Sequence, residues 1–177
     1  MALKNDLIVA MDNKSVRLYE DEFMVIIADV FPKSKHHYLV LPKEHIQEVN
    51  SLKTHHIPKL IYMELKGLEF VVYRTMLPAR CFQVGYHAYP SMNRLHLHIL
   101  SKDFNSVHLR HPFQWNSFHT EFFVPTYKVI VDLQTLGHVK LPLNKKCLNQ
   151  QLQCHWCKHY FNDIQNLKLH LTLFHSQ

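Results

Sequence analysis

The hexapeptide Leu95-His96-Leu97-His98-Ile99-Leu100 alternates aliphatic and imidazole side chains with a period of two. That period specifies a strand, so His96 and His98 share one face while Leu95, Leu97 and Ile99 turn to the core. Two consecutive positions of one face given to imidazoles make either a polar sheet surface or a surface built for chemistry. Residues 85–94 run into this strand and carry His87 and Ser91 around Pro90. A Pro-containing loop of this kind can curl a histidine and a hydroxyl back toward the imidazole face.

The chain has 177 residues, room for one medium domain and a small appendage. With 47% hydrophobic residues and three glycines it is expected to be a packed globule rather than a disordered chain. Its longest apolar runs, such as residues 23–28, are far too short to cross a bilayer. Residues 1–6 lack a signal-peptide core, so residence inside the cell is expected. Net charge is +6; five lysines against one aspartate put +4 of it in residues 139–177. A basic end fits a polyanionic partner as well as it fits a lysine-solubilised surface.

Apolar spacing at Leu3, Leu7, Ile8 and Met11 predicts an opening helix. Residues 16–19 and 23–28 read as a strand hairpin, and 38–42 as a third strand. From 57 to 76, Ile57, Ile61, Leu65, Leu68 and Val72 form one stripe, predicting a long helix laid on the sheet. Residues 82–86 and 95–101 supply the last two strands and 127–136 a further helix. Antiparallel strands with helices on one side give an α+β class. Residues 139–150, with Pro142, two adjacent lysines and several Asn and Gln, read as a linker. The expected division is 1–138 for the main domain and 139–177 for linker and tail.

The tail carries Cys154 and Cys157, then twelve residues to His170 and four more to His175. Cys-x2-Cys-x12-His-x4-His is the spacing of a zinc finger, with Phe161 and Leu167 at core positions. Two thiolates and two imidazoles close a tetrahedral site with no open position, so the zinc is structural and supplies the tail's folding energy. The other two of the four cysteines, Cys81 and Cys147, stand apart, and a disulfide scaffold is not expected.

The imidazole strand resembles the His-φ-His-φ-His-φ-φ signature (φ, apolar) of the histidine-triad nucleotide hydrolases and transferases, with Arg94 at the first histidine position. The longer string 85–104, with Trp115-Asn116-Ser117-Phe118 beyond it, resembles a DNA-processing branch of that family that carries a C-terminal zinc finger. The resemblance runs from about residue 3 to 174 and implies a histidine-triad antiparallel sheet packed with helices, plus the finger. It makes His96 the nucleophile, His98 a phosphate ligand that assists it, and His87 the general acid. Asp29 is implied as the ribose ligand, with Lys33 and Ser91 at the phosphates. Lys4 and the opening helix are implied against the exposed base pair, Asn116 and Ser117 at the DNA backbone; Lys158 and Lys168 of the finger are expected to meet phosphates.

The chemistry of the residues agrees with these roles. Neutral imidazole can attack phosphorus and later depart, and Lys33, Lys35, Ser91 and protonated His98 can neutralise developing negative charge. No carboxylate accompanies the histidine strand, so no catalytic metal is expected. The implied reaction removes AMP from 5′-adenylated DNA ends through a covalent histidine–AMP intermediate, in DNA strand-break repair. Adenylated DNA and the product AMP are the expected partners, with no membrane. A monomer is expected, in the nucleus or also the cytoplasm. Two rivals remain: a hydrolase of AMP phosphoramidates or dinucleoside polyphosphates, which needs neither finger nor basic tail, and a non-enzymatic nucleic-acid adaptor with Arg94 marking a decayed site.

Overall fold

A computed structural model describes residues 6–175. Its centre is a six-stranded antiparallel sheet of order β1-β2-β3-β5-β4-β6. The strands are β1 (Arg17–Glu20), β2 (Met24–Ala28), β3 (His37–Pro42), β4 (Phe82–His87), β5 (Leu97–Ser101) and β6 (Phe123–Pro125). The helices are α1 (Asp6–Asp12), α2 (Ile57–Thr75), α3 (Pro112–His119), α4 (Thr126–Leu136) and α5 (Ile164–Phe174). A small hairpin, β7 (Leu152–Gln153) with β8 (Tyr160–Phe161), precedes α5. No helix among the described residues is long and apolar enough to cross a membrane. Residues 3–5 of the expected opening helix, and Lys4 with them, lie outside the described residues.

One sheet face follows the expected pattern. Met24, Ile26, Val40, Leu97 and Ile99 pack with Leu60, Met63 and Val71 of α2 and with Val129 and Leu133 of α4. The range of α2 agrees with its sequence periodicity, but the buried face does not. Leu60, Met63, Gly67 and Val71 face the sheet, while Ile61 and Leu65 of the expected stripe are 42% and 63% exposed. Gly67 explains the shift: a Cβ there would stand 2.5 Å from Ile99 Cδ1. The helix approaches the sheet over a residue with no side chain, which a count of apolar side chains does not register.

The expectation of helices on one side only is corrected. Strand β2 is buried at four consecutive residues and β3 at all six, the pattern of strands covered on both faces. On the second face, Leu7 and Met11 of α1 cover Val25, Ile27, Leu39 and Leu41. At the far end, Trp115 and Phe118 of α3, with Leu100, Phe104 and Phe123, share one core with Leu152, Ile164, Leu167 and Leu171 of the C-terminal unit. Helix α3 starts at Pro112 behind a capping box between His111 and Gln114, signals that its sparse apolar pattern hid.

Residues 139–150 are not a free linker. Val139 is buried and Leu141 packs on the sheet core, while Tyr89 Oη donates to Pro142 O. Cys147 is buried in a 3-10 turn, Lys146–Asn149. There Asn116 Nδ2 donates to Leu148 O at 3.0 Å and Gln150 O at 2.7 Å. Backbone carbonyls need partners once buried, and α3 supplies them.

Gly85 of β4 lies where strands meet too closely for a side chain. A Cβ there would fall 2.6 Å from Val124 O and 2.7 Å from Phe123 Cε1, and a backbone carbonyl cannot move without displacing β6. Gly85→Ala is expected to destabilise by about 1–3 kcal/mol, as overpacking does. A denaturant midpoint unchanged from wild type would refute this account.

Candidate active site

Sheet register gathers four histidines on the second face, in the gap between its two apolar patches. His98 of β5 stands between Leu39 of β3 and Gly85 of β4. His37 lies two residues before Leu39 and His87 two after Gly85, so all three rings share a face. His96 comes just before β5 begins. Ring centroids lie 4.8 Å (His96–His98), 4.5 Å (His87–His98) and 5.2 Å (His37–His98) apart. Gly85, opposite His98, lets β6 and the Phe123 ring close in beside the cluster.

Hydrogen bonds set the tautomers. The Lys33 backbone N–H donates to His37 Nδ1 at 3.2 Å, so a neutral His37 carries its proton on Nε2. That Nε2–H points at His98 Nδ1, 3.0 Å away, which leaves the His98 proton on Nε2. His96 Nδ1–H donates to Arg94 O at 2.8 Å, which leaves His96 Nε2 with a free lone pair. The result is a bare nitrogen on His96 beside an N–H donor on His98.

Burial keeps these rings neutral. It pushes His37 down to about 4 and His98 and His87 well below the ordinary imidazole value. His96 is lowered by burial too, with the bond to Arg94 O and the charge of Asp29 working the other way. Desolvation of the charged form is the common cause. His98 Nε2 and His87 Nε2 are buried without a hydrogen-bond partner. Unsatisfied buried polar atoms cost about 1–3 kcal/mol each, and in a cluster of this kind they are places for a ligand's oxygens.

The β2–β3 turn supplies the charged groups. Asp29 Oδ1 accepts from Phe31 N at 2.8 Å, and its Oδ2 lies 3.5 Å from His37 Nε2. Lys33 Nζ donates to Phe31 O, and burial lowers its ammonium despite the nearby Asp29. Ser91 is exposed on the loop between β4 and β5. Thus His37, His87, His96 and His98 form one cluster, with Asp29 and Lys33 at its edge. His37 escaped the sequence reading. The signal was its position in β3, in phase with Leu39, beside a distracting neighbour at His36.

Not every expected DNA contact faces outward. Asn116 is 2% exposed, and its amide is spent on Leu148 O and Gln150 O; the structure makes it a clamp for the connecting segment. Ser117 Oγ donates to Gln114 O at 2.9 Å within α3. Lys168 Nζ donates to Ser106 O at 2.7 Å, tying α5 to the loop after β5. Lys158 is exposed, with Nζ 3.2 Å from His155 O.

In the C-terminal unit, one ligand atom each from Cys154, Cys157, His170 and His175 lies within 4.8 Å of the others. Cys157 Sγ is 3.2 Å from His170 Nε2, and His175 Nε2 is buried without a partner. Asp163 caps α5, the helix that carries His170, through Asn166 N at 2.8 Å. Two sulfurs and two ring nitrogens so gathered fit a tetrahedral zinc ion.

Comparison with known proteins agrees with this geometry. Residues 3–112 match the family described as scavenger mRNA decapping enzyme C-term binding, and residues 119–174 match the C2HE / C2H2 / C2HC zinc-binding finger. Aprataxin of Gallus gallus is 37% identical over 163 residues, 92% of this chain and 52% of that protein. The chain thus spans about half the length of that relative. The aprataxin-like protein of Saccharomyces cerevisiae is 30% identical over 91% of this chain and 88% of its own length. The crystal structure of the aprataxin ortholog Hnt3 in complex with DNA superposes with a TM-score of 0.75 at 30% identity, covering 96% of this chain and 91% of that one. Hnt3 in complex with DNA and guanosine gives a TM-score of 0.79 at 29% identity, covering 97% and 94%. In sequence over most of its length and in the superposed fold, the chain belongs to the aprataxin family.

Proposed function

We propose that this protein removes AMP from 5′-adenylated DNA ends. The observation that carries this reading is the fixed pair of tautomers, a bare Nε2 on His96 beside an Nε2–H on His98. The solved relatives bound to DNA support a DNA substrate, and the basic C-terminal segment suits phosphates. A DNA substrate fits work in the nucleus, where the chain is proposed to act as a monomer.

His96 Nε2 attacks the adenylate phosphorus, and a P–N bond forms as the P–O bond to the DNA 5′-phosphate breaks. The departing phosphate takes a proton from His87, which gains one when an anionic ligand enters the site. His98 Nε2–H and Lys33 hold the phosphoryl oxygens as charge builds in a desolvated site, and Ser91 on the adjoining loop closes over them. Asp29 takes the ribose hydroxyls. Water, giving a proton back to His87, then attacks phosphorus, the P–N bond breaks, and AMP leaves with His96 and His87 restored. Zinc held by Cys154, Cys157, His170 and His175 cross-links the tail as a structural ion, and Lys158 meets DNA phosphates from that unit.

The test compares adenylated nicked DNA with an AMP phosphoramidate. Wild-type protein should release AMP from both, and acid-free quenching should trap AMP on His96. His96→Ala should lose all turnover while still binding DNA; AMP trapped on any other residue would sink the assignment. His98→Ala should retain about 10⁻² to 10⁻³ of the rate, the scale of losing one such donor.

Because burial depresses the proton affinity of His96, its neutral form persists below the usual imidazole range. The acid limb of kcat/KM on the phosphoramidate should therefore lie below pH 6.5. An acid limb centred above that value would contradict a desolvated nucleophile.

Phe118 links the two halves. It shares a core with finger residues, and its ring lies 4.6 Å from His87 and 5.4 Å from His98. Cys157→Ala, or zinc chelation, should lower the melting temperature of the whole chain and slow even the phosphoramidate reaction, besides weakening DNA binding. Full small-substrate turnover in a zinc-free protein would show that the shared core carries no such coupling.

A further inference from the structure

Arg94 stands where the histidine-triad pattern has its first histidine, and it is neither exposed nor idle. It is 8% exposed. Its Nη2 donates to Pro42 O at 2.8 Å and to Lys43 O at 2.9 Å, and its Nη1 donates toward His45 Nδ1 at 3.1 Å. All three acceptors lie at the end of β3 or just beyond it, on the strand that pairs with β5 alongside the segment leading to His96. The next residue joins the same attachment, since Leu95 N donates to Ile46 O at 2.8 Å.

The backbone at Arg94 has a φ of +150°. L-residues rarely adopt positive φ, and such a conformation persists only where the surroundings over-determine it. Here the carbonyl of that residue accepts His96 Nδ1–H at 2.8 Å. One residue therefore offers two handles, a guanidinium latched to the β3 exit and a carbonyl that selects the tautomer of the nucleophile. Guanidinium suits the first task because its planar fork reaches several acceptors at once and does not titrate.

We propose that Arg94 is a positioning residue for the nucleophile: its guanidinium, latched to Pro42 O, Lys43 O and His45, holds the strained backbone whose carbonyl keeps the His96 proton on Nδ1 and the lone pair on Nε2. The proposal rests on His96 being the attacking group. It makes residue 94 a working replacement within the triad rather than a mark of decay. The reach of the latch matters more than its charge, because a shorter donor cannot span Pro42, Lys43 and His45 together.

Arg94→Met keeps the bulk and deletes every donor. Two-bond ¹H–¹⁵N correlation of histidine-labelled protein reads the His96 tautomer directly, and turnover of an AMP phosphoramidate reads its consequence. In Arg94→Met the Nδ1–H form should give way to a mixture of tautomers. Its kcat should fall about tenfold to a hundredfold with KM little changed, the scale of a misplaced reacting group. Arg94→Lys, able to reach one or two of the acceptors, should recover part of both signals. A folded Arg94→Met protein with the wild-type tautomer and kcat overturns the proposal. Should Arg94→Met not fold, Arg94→Lys and His45→Ala decide in its place: a shifted tautomer with lowered kcat in either supports the latch, and wild-type values in both overturn it. Trapping of AMP on wild-type His96 separates this test from the reading beneath it, because wild-type protein that forms no such adduct refutes the nucleophile and leaves the latch without its purpose.

Discussion

The site depends on a chain of hydrogen bonds that begins at a backbone amide. Lys33 N–H occupies His37 Nδ1, His37 faces His98, and His98 is left with a donor nitrogen pointing into the site. Neutral imidazole has two tautomers close in energy in water. A buried chain with a fixed donor at one end has one low-energy pattern, since the alternative sets two protons or two lone pairs against each other. The β2–β3 turn, which places Lys33 and Asp29, thereby acts on a ring of β5, the strand next to β3.

Desolvation holds the arrangement in one charge state. Four imidazoles within a few ångströms would repel one another if protonated, and burial opposes their protonation in any case. Neutral rings leave a bare nitrogen on His96 beside a donor nitrogen on His98. Two unsatisfied nitrogens are the cost of this design, and an anionic ligand offers the oxygens that relieve them.

Packing of the C-terminal unit against α3 extends the same logic. Phe118 touches histidines on one side and belongs to the finger's core on the other. His155, between the two cysteines, sends Nε2 to Lys102 O at 3.1 Å, directly after the histidine strand. Lys168 and Asn116 add cross-ties from each side of the joint. A unit this small buries little apolar surface alone, and here it borrows the second face of the sheet. The clamp on residues 148–150 removes slack that a free linker would have left.

Period-two alternation at 95–100, helical spacing over 57–76 and the Cys-x2-Cys-x12-His-x4-His ladder were legible in the sequence because each is a local rule, set by backbone geometry within a few residues. The long helix accordingly lies where its rule put it, β5 begins at Leu97 rather than at 95, and the cysteines and histidines of the ladder gather at one point. The face buried by α2 was not legible, since a glycine contact depends on what lies across from it. Nor was the covering of the second sheet face, which required α1 and α3 to meet strands distant in sequence. Asn116 read as a surface residue because its carbonyl partners lie more than thirty residues away. His37 joined the site only through strand register. Residue types and spacing determined which chemistry the chain can attempt; the tertiary structure alone decided which nitrogen carries each proton, because tautomers are set by partners that sequence proximity does not supply.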